Sequence, residues 1–146
     1  MWLSLLLSMV VAASASAGEV PLNAKQIVVD FFRLALLEGQ VDKAFDQYVG
    51  DTYIQHNPQV GDGPEGARAF LKSLRVTSPD LVGEIVRVIA EDDLMVLHIR
   101  WRWPENGVEK QAAGIDIFRV AGGKVVEHWD VNQLVPEESV NDNTMF

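Results

Sequence analysis

The chain has 146 residues, a formal net charge of -9, 48% hydrophobic residues and no cysteine. That length suits one domain whose core is large enough to enclose a cavity. The acidic balance, with no basic stripe anywhere, excludes nucleic acid as a partner, because its phosphates would be repelled; the lack of cysteine excludes disulfides, a thiol nucleophile and most structural zinc schemes.

Residues 1–17, MWLSLLLSMVVAASASA, hold no Lys, Arg, Asp or Glu, and Ala15-Ser16-Ala17 has the form of a signal-peptidase site. They read as a signal peptide, although no Lys or Arg precedes the apolar run. A retained anchor is the alternative, but the run is short for a spanning helix, which needs roughly 20 residues. The expected mature chain is exported, periplasmic or secreted, with no stable membrane insertion after cleavage.

Asn23 is placed to cap a helix running to about Glu38, with Gln26 as a loose capping box and Gly39 as the stop. Apolar residues at helical spacing then predict a second helix over Val41 to Tyr48. Pro58 disfavours helix before it, so Tyr53 to Asn57 is extended or turning. The glycine-rich Val60 to Gly66 lacks the lysine and spacing of a phosphate-binding loop. It reads instead as a loop whose Gly63-Pro64-Glu65 opens a third helix to about Leu74.

From Leu81 the texture becomes β-branched and aromatic. Turn signals at Glu91-Asp92-Asp93, Glu105-Asn106-Gly107 and Ala121-Gly122-Gly123 divide it into four strands: Leu81–Ala90, Leu94–Trp103, Val108–Val120 and Lys124–Leu134. Helices followed by an antiparallel meander define an α+β domain over residues 18–135. Residues 136–146 read as a polar C-terminal tail.

Alternation sorts the strand side chains. Leu97, Ile99, Trp101 and Trp103 share a face of the second strand, and His98 and Arg100 the other. Gly114, Asp116 and Phe118 share a face of the third; Val126, His128, Asp130, Asn132 and Leu134 share one of the fourth, opposite Trp129. Two carboxylates in one apolar pocket divide acid and base roles, since burial and mutual repulsion leave a neutral acid beside a charged base. Asp130 as base and Asp116 as its partner is the sharpest reading. The bland one is an ion pair with Arg100, Arg102 or Arg119. His98 and His56 are further candidates, as hydrogen-bond donors or proton relays, against a structural role for each. Asn57, Trp101, Phe118 and Asn132 are candidate substrate contacts, while Trp129 fits the outer face, at an interface with a second copy; alternation does not fix which face of the second strand is concave, so Trp101 and Trp103 fit either a pocket wall or that interface. No HxH or HxxxH spacing supports a metal site, and no cofactor is implied.

Together, YIQHNP after two helices, a glycine-rich loop with a third helix, and GIDIFRVAGGKVVEHWDVNQL at the end resemble the SnoaL-like polyketide cyclases of the nuclear-transport-factor-2-like superfamily. The resemblance spans about Asn23 to Leu134. It implies a cone-shaped, curved antiparallel sheet wrapped over the N-terminal helices, a cystatin-like α+β barrel with a deep pocket, and commonly a homodimer formed through the outer sheet face. It also implies a cofactor-independent acid/base reaction on a small apolar carbonyl compound, an aldol-type cyclisation or an isomerisation. Asp130 matches the acid/base aspartate of the final strand; Asp116 stands where the cyclases carry histidine. An exported ligand-binding or dimerisation domain without turnover is the alternative on the same fold.

Overall fold

The computed structural model describes residues 23–146; the expected signal peptide lies outside the described residues. Helix α1 spans Ala24–Phe32, and Asn23 caps it by accepting the backbone N–H of Gln26 at 2.8 Å. The helix does not stop there. It widens into a π-helical turn, Arg33–Leu37, closed by Glu38 N–H to the Arg33 carbonyl, before Gly39 ends it at a φ of +70°. Helix α2 is Val41–Tyr48 and α3 is Gly63–Thr77, with Pro64 in its first turn. Among the described residues no helix is long and apolar enough to cross a membrane.

The strands are β1 (Val49–Gln55), β2 (Val82–Glu91), β3 (Leu94–Glu105), β4 (Val108–Ala121) and β5 (Lys124–Leu134), in sheet order β1-β5-β4-β3-β2. Strands β2 to β5 form the expected meander. Its middle turn, Asn106-Gly107, has φ of 51° and 79°, the left-handed pair that a two-residue hairpin requires.

Two features depart from expectation. Strand β1 pairs parallel with β5, so the sheet is mixed rather than antiparallel, and with β1 and β2 as its two edges it is an open cone rather than a closed barrel. The second departure is a bulge. Arg119 faces Glu127 but Val120 faces Val125, which leaves Val126 as the extra residue. Val125 therefore takes the inner position that simple alternation assigns to Val126, and it is fully buried.

The core lies between the helices and the inner sheet face. Val28, Phe32 and Ala35 from the first helical segment meet Leu97 and Ile99 of β3, all without exposure. Phe31 links the layers, with its ring 5.5 Å from Phe45 of α2 and 6.0 Å from Phe118 of β4. The C-terminal tail folds back on the outer face, where Arg100 lies over the Phe146 ring at 4.2 Å.

Candidate active site

Strand pairing decides which side chains meet. On the inner face Asp116 of β4 is directly opposite Asp130 of β5, Phe118 opposite His128, and Gly114 opposite Asn132, while Gln55 of β1 pairs with His128 from the other side. These residues form one wall of a cavity of about 360 Å³. Tyr53, Asn57 and Gln59 extend this polar side, and the facing lining is apolar: Phe31 and Leu36 from the first helix, Phe45 of α2, Phe70 and Leu71 of α3, and Trp101 and Trp103 of β3. Space for Trp101 comes from missing side chains. A Cβ on Gly83 would lie 2.6 Å from one end of the indole, and a Cβ on Gly114 2.7 Å from its Nε1 and from the Asn132 oxygen. Both glycines are thus sites where any side chain would push into the cavity wall.

The polar wall is continuous. Asn57 Nδ2 donates to both Asp130 oxygens at 2.9 and 3.1 Å, and Asn132 Nδ2 donates to Asp130 Oδ2 at 3.0 Å. Asn57 is held in turn, its Oδ1 accepting the backbone N–H of Gln59 at 2.8 Å. Next along, His128 Nε2 is 3.0 Å from Asp116 Oδ1, and His128 Nδ1 is 3.1 Å from Gln55 Oε1. Asp116 is 7% exposed, and its Oδ2 is buried without a partner.

Burial pushes the Asp116 carboxyl above the ordinary carboxylate range; the bond to His128 opposes this and the nearby Asp130 adds to it. Tyr53, also in the cavity wall, is raised well above the usual phenol range, first by burial and then by the charges of Asp116 and Asp130. Tyr53 therefore keeps its proton throughout the neutral range. The Asp116 shift also has a sign in stability. Between the unfolded and folded values, the folded chain holds a proton that the unfolded chain has lost, so stability falls as pH rises through that window and stays lowered above it. Asp116→Asn has no such proton to hold. It is expected to be more stable than the parent at pH 8, by on the order of 1 kcal/mol, with the two converging towards pH 4. Urea unfolding across that range measures it; a parent that gains on the variant as pH rises would show that folding favours the ionised carboxyl.

Asp130, Asp116, Asn57, Trp101, Phe118 and Asn132 all line this cavity. His98 and His56 do not. His98 follows the outer face of β3, bonded to Arg87 and stacked on Phe146. His56 lies 2.9 Å from Glu127 and stacks on Trp129 at 4.6 Å, also outside, because the alternation of β1, carried on by the two residues after it, turns Tyr53, Gln55 and Asn57 inward and Ile54 and His56 outward. Sequence reasoning overlooked Tyr53 and Gln55, and it placed His128 on the face of Asp130 without giving it a role. The alternation in YIQHN was the available signal. Among the described residues no group of three His, Cys, Asp or Glu is arranged to hold a metal ion.

An open α+β cone closing over an apolar chamber, with its few polar groups gathered on one wall, is the architecture of a small-molecule pocket protein. The chain belongs to the SnoaL-like domain family, whose model matches residues 28–128. Comparison with curated proteins gave no match. Among solved structures it is similar to a candidate polyketide cyclase from Acidithiobacillus ferrooxidans, 23% identical with a TM-score of 0.65, over 80% of this chain and 91% of that one. TsrD from Streptomyces laurentii is 26% identical with a TM-score of 0.63, over 75% and 87% of the two chains. An LEH-like epoxide hydrolase from M. tuberculosis is 18% identical with a TM-score of 0.59, over 75% and 82%. These are likenesses of fold, and they span different reaction names.

Proposed function

We propose that this protein is an acid/base enzyme, working without a cofactor, that removes a proton α to the carbonyl of a small, largely apolar substrate, in the manner of an aldol-type cyclase or an isomerase. The observation that carries this reading is the pair of facing carboxyls, Asp116 and Asp130, in unlike surroundings on one wall of an apolar chamber. Asp130, turned to its two amide neighbours, is the base. Tyr53 is the hydrogen-bond donor for the developing enolate oxygen. Asp116 and His128 share one proton and so add no net charge, which leaves the wall with one negative charge, passed from Asp130 to the enolate as the proton moves, rather than two.

The reading is tested by incubating the protein in D2O with a panel of cyclic enones and β-dicarbonyl compounds and following α-deuteration by mass spectrometry. Protein-dependent exchange with a bell-shaped pH profile is expected. Tight binding of these compounds with no exchange across the panel would make the protein a carrier instead. Action after export, and pairing of two copies through the outer face, belong to the same reading. Ala15-Ser16-Ala17 supports the first and the exposed Ile54 and Val131 the second; the native mass of protein isolated from its producing cells reads both, a monomer or an unprocessed chain counting against them.

A further inference from the structure

We propose that Gln55 is a positioning residue that fixes His128 as its Nδ1–H tautomer and so commits the one proton between His128 and Asp116 to the Nε2–Oδ1 line; this rests on the acid/base reading and deepens it. The orientation of the Gln55 carboxamide is set by the main chain. The backbone N–H of Asn57 donates to Gln55 Oε1 at 2.9 Å, and a backbone N–H has no way to act as an acceptor. Gln55 therefore presents oxygen, not NH2, to His128, whose Nδ1 lies 3.1 Å from that same atom. Two acceptors do not bond, so Nδ1 carries the hydrogen.

The opposite ring nitrogen is then defined as well. His128 Nε2, 3.0 Å from Asp116 Oδ1, has no hydrogen of its own in the neutral ring and must receive one from the carboxyl. The reversed tautomer would place an N–H against Asp116 Oδ1 and leave there either an acid whose hydroxyl, on Oδ2, has nothing to donate to or an ionised carboxylate. That carboxylate would be buried, with Oδ2 lacking any partner. The chosen tautomer avoids this, since carboxylic acid to imidazole keeps both groups neutral. When the shared proton passes from the carboxyl to Nε2, imidazolium to carboxylate uses the same two contacts without any side chain moving.

Gln55 pairs across strands with His128, whereas Asn57, two residues on, holds Asp130. One short inward-facing run, from the end of β1 to the second residue after it, thus sets a hydrogen-bonding partner of both polar centres. The effect of Gln55 on the shared proton passes through His128, the ring it bonds. Replacing its oxygen removes the tautomer lock without touching a carboxyl.

The test is the two-bond 1H–15N correlation spectrum of the histidine rings in the full-length, 15N-labelled protein, with His128 assigned by loss of its signals in His128→Gln and read in its neutral form. The parent is expected to show a pyrrole-type Nδ1 and a pyridine-type Nε2. Gln55→Glu keeps an acceptor oxygen and should retain that pattern, whereas Gln55→Leu should shift His128 towards the Nε2–H form. A pyrrole-type Nε2 in the parent, or an unchanged pattern in Gln55→Leu, overturns the proposal, and the parent spectrum decides alone should the leucine variant fail to fold. Because the spectra are recorded on resting protein, they stand whether or not α-deuteration is found.

Discussion

Asp130→Asn is expected to lower the rate of α-proton exchange by 10²- to 10⁴-fold, about the range for loss of a positioned general base, while leaving the fold intact. The substitution is nearly isosteric, and the residue lies on the cavity wall rather than among the fully buried core side chains. Its structural cost is confined to one contact. The amide groups of Asn57 and Asn132 both donate to Asp130, so an amide in its place meets one of them NH2 to NH2, a loss of about 1 kcal/mol. The measurement is the exchange rate alongside a thermal melt. Undiminished exchange in a folded variant would remove Asp130 from the mechanism, whatever the fate of the rest of the site.

Phe32→Ala is expected to have the largest effect on stability, a loss of about 3–5 kcal/mol. The ring is fully buried at the inner side of α1 and packs 5.7 Å from the Trp101 indole. Its removal leaves a hole between helix and sheet that neither layer closes, because α1 is capped at one end and continues into the π-helical turn at the other. Since a domain of this size is stable by only about 5–15 kcal/mol, the urea midpoint should fall by a large fraction. A change below about 1 kcal/mol would mean that α1 is not anchored through this ring. Unlike Asp130→Asn, this variant acts on the packing behind Trp101 and leaves the polar wall in place.

Most of the fold was legible because its signals are local. The Asn23 cap, the helical spacing of Val41 to Tyr48 and the Asn106-Gly107 hairpin each act within a few residues, and each appears as expected. Strand β1 was not legible. VGDTYIQ is short and polar, and it becomes a strand only by pairing with β5, more than seventy residues later. The bulge at Val126 was hidden for a related reason, since turn residues predict a hairpin but not an extra residue inside it. For the site, alternation sorted β4 and β5 correctly but did not say which face of β3 is concave. That ambiguity is what allowed His98 to stand as a candidate beside Trp101. Missing β1 as a strand likewise allowed His56, and it hid the inward set of Tyr53, Gln55 and Asn57.

The parallel pairing of β1 with β5 also determines when in folding the site comes into being. The meander of β2 to β5 is built from neighbours in the chain and closes through short loops, whereas the β1–β5 seam joins segments far apart in sequence and closes at a higher entropic cost. Every hydrogen bond linking Gln55 and Asn57 to His128 and Asp130 crosses that seam. A molecule with a finished meander but an undocked first strand would therefore hold Asp130 without Asn57 and His128 without Gln55, keeping only the Asn132–Asp130 and His128–Asp116 contacts. The polar wall is in this sense a report on complete folding, and fraying of one edge strand would take it apart before the core is lost.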